Sequence, residues 1–192
     1  MSRLRLSCFM TAAAFAAGCG GGQDAAGGEG TEQAGQSAEA AGMSVPSWMT
    51  VDRAANTVTL DIVAGQDESN NRWNFNGYSQ GQATITVPQG ATVTIRFRNN
   101  DPAVYHSIGV DTRIGDFPAL FESPTPVFPG AISSNATDPA GATAPNAAEE
   151  VSFTASTAGR YSMVCYVPAH ASAGMWVLFN VSADGSVGLT TM

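Results

Sequence analysis

The chain has 192 residues, of which 8 are basic and 16 are acidic, so its formal net charge is −8. An acidic chain without a basic surface is not suited to binding a nucleic-acid backbone. The three cysteines and two histidines exclude a four-cysteine zinc or iron–sulfur site, and any site that needs three imidazoles. The length and the 44% of apolar residues are typical of one ordinary domain with additional segments.

Residues 1–18 have the pattern of a secretory signal peptide. Two arginines precede an apolar run over residues 6–17, which is too short to span a bilayer and ends in small residues. The Ala-Ala-Gly sequence before Cys19 resembles a bacterial lipobox. We therefore predict a lipoprotein-type signal peptide and lipidation of Cys19. An ordinary signal peptide that happens to precede a cysteine is the alternative.

Residues 19–42 are rich in Gly and Ala, and after Cys19 they contain no aromatic residue and no Val, Ile or Leu. Because such a segment cannot bury apolar surface, it is predicted to be a flexible tether. The folded domain is then expected over residues 43–192. A lipid on Cys19 predicts an exported, membrane-anchored lipoprotein that faces the periplasm or the cell exterior. Export implies an oxidising compartment, where an unpaired thiol such as Cys165 requires an explanation.

The pattern of the folded part predicts an all-β fold, a Greek-key sandwich or barrel of about eight strands. Short runs alternate between apolar and polar residues and are separated by turn residues, and no long window has a helical period. The strands are predicted at residues 57–63, 82–87, 92–98, 104–110, 150–154, 160–166 and 175–182.

Residues 115–148 interrupt this rhythm with a long stretch rich in Pro, Ala, Ser and Asn. A loop of this length is uncommon in a compact domain and is often functional. Its aromatic residues are expected to pin it onto the sandwich. Four aromatic residues elsewhere are predicted to lie in the core: Trp73, Phe75, Phe97 and Phe153.

Four side chains together form the ligand set of a blue-copper centre. Cys165, His170 and Met175 follow one another at the spacing Cys-x4-His-x4-Met, and His106 is the only other histidine. A thiolate and two imidazoles suit both oxidation states of copper, and a weak axial thioether favours Cu(I). A short loop presents three of these groups from one side, and His106 ties the loop to another strand.

The same residues allow other interpretations. Each residue alone has a structural explanation, since a buried cysteine is most often a small apolar side chain. A cysteine hydrolase would use His106 or His170 as the base for Cys165, but no orienting Asn or Asp is identifiable. A periplasmic copper chaperone or storage protein is the closer alternative. Too few histidines are present for a multicopper oxidase, and a binuclear copper centre needs two cysteines in the loop.

The chain resembles the cupredoxin superfamily, which includes plastocyanin, azurin and rusticyanin, and within it the sulfocyanins. The resemblance rests on residues 73–81, 87–93 and 126–130, on His106-Ser107, and on the metal loop. It implies a Greek-key barrel that holds one type 1 copper ion, Cu(I) or Cu(II), and carries single electrons between respiratory partners without being an enzyme. By matching motif it implies the ligands His106, Cys165, His170 and Met175.

The resemblance also implies that the backbone N–H or the hydroxyl of Ser107 bonds to the Cys165 sulfur. Apolar side chains are expected to wall the site, namely Pro168, Met163, Trp176 and Phe179. A dry site disfavours the more highly charged Cu(II) form, so the reduction potential is predicted to lie toward the high end of the class.

Electrons are predicted to enter and leave at the ring edge of His170, which is expected to reach the surface. Redox protein donors and acceptors would dock there transiently, while the protein itself stays monomeric and membrane-tethered. The rim around the ring is expected to be small and uncharged, formed by Pro168, Ala169, Ala171, Ala173 and Gly174.

Overall fold

A computed structural model describes residues 42–192. The predicted signal peptide, Cys19 and all of the predicted tether except Gly42 lie outside these described residues. Within the described part of the chain, no helix is long and apolar enough to cross a membrane.

The described residues form an all-β sandwich, which confirms the predicted fold class, with nine strands rather than about eight. One sheet has the order β1-β2-β4-β6 and the other the order β5-β7-β8-β3-β9. The strands are Met49–Asp52 (β1), Thr57–Ala64 (β2), Ala83–Pro88 (β3), Thr92–Asn99 (β4), Gly109–Asp111 (β5), Ala148–Thr154 (β6), Gly159–Val164 (β7), Trp176–Ser182 (β8) and Gly188–Thr191 (β9). A 3-10 turn at Ser69–Arg72 is the one helical element of this region.

The alternating residues of the strands build the core. In β2 and β4, which run parallel, Leu60 lies opposite Ile95 and both side chains are fully buried. Strands β3 and β8 are also parallel, and pair Ile85 with Phe179 in the other sheet. All four side chains belong to one continuous apolar cluster, so the two sheets share a single core. Burying each such side chain stabilises the fold by roughly 1.5–3 kcal/mol.

The predicted strand over residues 104–110 is wrong for most of its length, because only Gly109–Asp111 forms a strand. The Asp101 carboxylate accepts the backbone N–H groups of Ala103 and Val104, each at 2.9 Å. These donors are therefore turned away from a sheet ladder. His106 lies in the irregular segment that follows and is held by an isolated antiparallel bridge to Thr143.

The long connection between β5 and β6 packs against the sandwich through phenylalanines. Phe117, Phe121 and Phe128 are buried, and the Phe128 ring stacks on Phe153 with a centroid distance of 5.5 Å. Leu120 on the same connection is 56% exposed. Because Thr143 bridges His106, this connection also fixes the segment that carries one candidate ligand.

Replacing Phe128 with alanine is expected to destabilise the protein by about 3–5 kcal/mol, because it removes a fully buried ring and leaves a cavity. Urea unfolding measures the change. The matched control is Leu120→Ala in the same connection, which should stay within about 0.5 kcal/mol of the wild type. If Phe128→Ala lowered the free energy of unfolding as little as the control is expected to, the connection would not be held by Phe128.

Candidate metal centre

Three buried side chains converge on one point. The Cys165 sulfur lies 3.4 Å from Nδ1 of His170 and 4.0 Å from Nδ1 of His106, and the two Nδ1 atoms are 3.2 Å apart. Their ligand atoms all lie within 4.8 Å of one another. The structure therefore brings together the two histidines and the cysteine that the sequence singled out.

The loop from Cys165 to Met175 is closed by its own backbone. The N–H of Cys165 donates to the carbonyl of Met175 at 3.1 Å, and the N–H of Met175 donates to the carbonyl of His170 at 2.9 Å. Cys165 directly follows β7 and Met175 directly precedes β8. The pairing of these strands therefore holds the two ends of the loop together, and the fully buried Met175 lies beside both other loop residues.

The loop is also tied to the long connection between β5 and β6. Ala169 has a φ of +70°, a conformation that side-chain-bearing residues rarely adopt. Its N–H donates to the carbonyl of Ala119 at 2.6 Å. This bond helps to hold a strained residue directly before His170, as expected where a site needs a fixed geometry.

The Asp101 carboxylate orients the His106 ring. Its Oδ2 lies 3.2 Å from Nε2 of His106, and both side chains are buried. A carboxylate only accepts hydrogen bonds when ionised, so it holds the ring proton on Nε2 and leaves the Nδ1 lone pair facing the centre. This role of Asp101 was not predicted from the sequence, where its position five residues before His106 was the only available signal.

The surroundings of the two side chains keep Asp101 ionised and His106 neutral. Burial by itself raises the pKa of Asp101, but the N–H groups of Ala103 and Val104 and then the His106 ring outweigh it, so that pKa stays below its ordinary value. Burial lowers the pKa of His106, although Asp101 opposes the change.

His170 is held neutral more strongly. Burial, followed by the neighbouring His106, lowers the pKa of His170 to about 4. Both imidazoles are therefore neutral near pH 7, which is the form that binds metals.

Ser107 provides two hydrogen bonds to the Cys165 sulfur. Its backbone N–H lies 3.3 Å and its hydroxyl oxygen 3.6 Å from Sγ. The hydroxyl oxygen accepts the backbone N–H of Tyr166 at 2.8 Å, which leaves its own hydrogen free for the sulfur. Both groups thus favour the thiolate.

Without a cation, the thiolate is nonetheless disfavoured. Burial raises the pKa of Cys165 to about 11, and the Ser107 hydrogen bonds oppose this only in part. A buried thiolate next to two neutral Nδ1 atoms therefore needs a cation that all three groups can bind. Nitrogen and sulfur donors of this kind suit copper or zinc rather than calcium or magnesium, so the residues fit the copper that the sequence predicts.

The walls of the centre are only partly as expected. Met163 and Phe179 are fully buried, whereas Pro168 and Trp176 are half-buried. Trp176 packs against Phe117 with a ring-centroid distance of 5.5 Å.

His170 is more deeply buried than predicted. Only 4% of its surface is accessible, and Ala171 and Gly174 of the expected rim are buried, whereas Pro168 is half-buried and Ala169 and Ala173 are exposed as predicted. The Trp73 ring, which was expected in the core, is half-buried and stacks on His170 with centroids 4.2 Å apart and planes 22° from parallel. The spacing within the metal loop could not reveal a cover supplied by a distant segment.

Changing Asp101 to asparagine is expected to weaken Zn²⁺ binding to the metal-free protein by about 10–100-fold, because the ring that it orients loses a fixed tautomer. Competition with a chromophoric chelator measures the affinity. Asp61→Asn, at an exposed aspartate near Arg96, is the control and should bind as the wild type does. Equal affinity of the Asp101 variant would show that Asp101 does not orient His106.

Comparison with known proteins places the chain in a family. The model of the "Sulfocyanin (SoxE) domain" matches residues 45–191. Sulfocyanin from Sulfolobus acidocaldarius is 32% identical over 146 residues, which cover 68% of each chain.

Solved copper proteins are similar at lower levels. Auracyanin A from Chloroflexus aurantiacus, described as a "blue" copper protein, is 26% identical, with 66% of this chain and 99% of that chain covered and a TM-score of 0.46. Rusticyanin from Thiobacillus ferrooxidans is 20% identical, with 70% and 86% covered and a TM-score of 0.44.

The family match encloses every residue of the buried His106–Cys165–His170 cluster. The resemblance seen in the sequence is thereby confirmed. The chain belongs to the sulfocyanin family of type 1 blue copper proteins, which are electron carriers rather than enzymes.

Proposed function

We infer that this protein shuttles single electrons between redox protein partners of a respiratory chain while tethered to a membrane. The observation that carries this inference is the closed, fully buried set of two imidazoles and one thiol. When bound there, copper supplies a one-electron couple between Cu(I) and Cu(II). The protein's own residues hold the ion, keep water out and fix the ligand positions.

The ligand assignment is His106, Cys165 and His170, with Met175 as the weak axial ligand. The burial of Met175 and its backbone bonds to Cys165 and His170 support the fourth assignment. Because Asp101, Ser107 and the loop backbone already fix the donors, little rearrangement is needed when the charge of the site changes. A closed site of this kind favours retention of the metal over delivery to another protein, which argues against the chaperone alternative.

The buried apolar walls support a reduction potential toward the high end of the class. Met163, Ile108 and Phe179 are fully buried beside the ligand-bearing segments, and a medium of low dielectric constant disfavours the more highly charged oxidised form. The two Ser107 bonds to the sulfur act in the same direction, because they withdraw electron density from the thiolate.

Location outside the cytoplasm is consistent with the state of Cys165. Its thiol is free and fully buried, so it is shielded from the disulfide exchange that exposed thiols undergo in oxidising compartments. The proposed anchor is a lipid on Cys19, and residues 19–42 would give the domain its reach. The proposal has the domain face the periplasm or the cell exterior, as a monomer.

Repeated reduction and reoxidation of the copper-loaded protein should leave the copper in place, even with excess chelator present. The measurement follows visible charge-transfer absorption together with copper retained after gel filtration. Cys165→Ala is expected to lose that absorption, because the sulfur donor is gone. Transfer of copper to the chelator within a few cycles would instead support a chaperone.

Ser107→Ala is expected to lower the reduction potential by on the order of tens of millivolts, where 59 mV corresponds to a tenfold change for one electron. The variant loses the hydroxyl bond to Cys165 and keeps the backbone bond. Protein-film voltammetry measures the shift, and Ser107→Thr, which retains a hydroxyl, is the control. A potential that is unchanged or higher in Ser107→Ala would contradict this role.

A further inference from the structure

Trp73 covers one face of the His170 ring, the ligand that was expected to reach the solvent. His170 is 4% exposed, and the half-buried Trp73 ring lies on it in a near-parallel stack with centroids 4.2 Å apart. A partner that approaches His170 from this side therefore meets the indole before it meets the imidazole.

A strained turn sets the position of Trp73. Asn70, Asn71 and Arg72 have φ values of 48°, 55° and 65°, in the left-handed region that asparagine tolerates but that strains the backbone of Arg72. The turn is closed on Trp73 from both sides, since Trp73 N–H donates to the Asn70 carbonyl at 2.9 Å and the Asn70 amide donates to the Trp73 carbonyl at 2.8 Å. Strain kept in this way points to a functional position rather than to simple packing.

Buried Asn74 locks the same turn. Its amide donates to the carbonyls of Asp67 and Ser69, and its side-chain oxygen accepts the N–H groups of Gln66 and Gly77. The residue after Trp73 is thus fully hydrogen-bonded and cannot shift without breaking several bonds, so the indole has little freedom to leave His170.

The segment that carries Trp73 is also joined directly to the metal loop. The N–H of Gln80 donates to the carbonyl of Gly174 at 2.8 Å. A Cβ on Gly174, whose φ is +103°, would lie 2.5 Å from Cγ of Gln80 and 3.3 Å from the Asn70 amide nitrogen. The segment that carries Trp73 and the metal loop therefore approach each other as closely as glycine permits. This close packing fixes the position of the Trp73–His170 stack.

We propose that Trp73 is the electron port of this protein, the side chain through which electrons pass between a docked partner and the metal site. The proposal rests on the proposed electron-carrier function and replaces the exposed edge of His170 as the route. Electron tunnelling weakens steeply across gaps between atoms, and the stacked indole bridges the gap between a docked partner and His170. One electron lost by the partner is gained by the metal site, and Trp73 is a bridge that is neither oxidised nor reduced.

The turn that carries Trp73 has one negative charge in excess, on the exposed carboxylate of Asp67. Arg72 and Glu68 form an ion pair, and Asn71, Gln80 and Ala173 are exposed and uncharged. A partner with a neutral contact surface suits this face, and two copies of this chain can meet there during electron self-exchange. Because both copies are acidic, salt should screen their mutual repulsion and raise the rate of that exchange.

The test is electron self-exchange between the oxidised and reduced copper-loaded protein, measured by NMR line broadening. Trp73→Leu keeps an apolar cover over His170 but removes the π-stack, and should slow exchange by about tenfold. Trp73→Phe keeps a ring and should stay near the wild-type rate. Trp48→Phe is the control, at a half-buried tryptophan that lies beside Ile62 and Leu189, and should exchange as the wild type does.

A second measurement uses the metal-free protein and does not depend on electron transfer. The ring current of Trp73 should shift the His170 ring protons upfield in the wild type, and Trp73→Leu should remove the shift. Absence of that shift in the wild type overturns the stack, even if the leucine variant fails to fold. Exchange in a folded Trp73→Leu that equals or exceeds the wild-type rate overturns the port. Failure of the wild type itself to cycle reversibly would instead overturn the proposed function.

Discussion

The fold holds three lone-pair donors together in a buried space. Two neutral Nδ1 atoms 3.2 Å apart and a sulfur within 4.0 Å of both repel one another when each presents a lone pair, and only a shared proton or a cation relieves the repulsion. The fold supplies the force that maintains this arrangement. Pairing of β7 with β8 closes the metal loop, and the Asp101 carboxylate and the bridge to Thr143 hold His106 against it.

The same constraint explains why the polar groups around the centre are so fully engaged. Asp101 accepts two backbone N–H groups in addition to the imidazole, and Ser107 accepts from Tyr166 while it faces Cys165. Buried polar groups that are satisfied in this way resist movement. A rigid donor set suits a carrier that must change charge without changing shape, and it suits a chaperone poorly.

Much of the centre could be predicted from the sequence because the chain contains so few cysteines and histidines. Cys165 is the only cysteine of the predicted domain, the chain has two histidines in all, and the Cys-x4-His-x4-Met spacing is local. Alternation likewise revealed β2 and β4. The irregular path of residues 104–108 was missed because a side chain, Asp101, takes the backbone donors that a strand would use. The Trp73 stack was missed because an aromatic residue in sequence is indistinguishable from a core residue until the tertiary fold places it.

One copper ion is expected to bind the Cys165 thiolate and the two imidazoles in a type 1 geometry. Electron paramagnetic resonance of the Cu(II)-loaded protein tests it most directly, because delocalisation of the unpaired electron onto sulfur compresses the copper hyperfine splitting. The expected result is one copper per chain with a narrow parallel splitting. A wide splitting of the kind given by tetragonal nitrogen and oxygen ligands would contradict it.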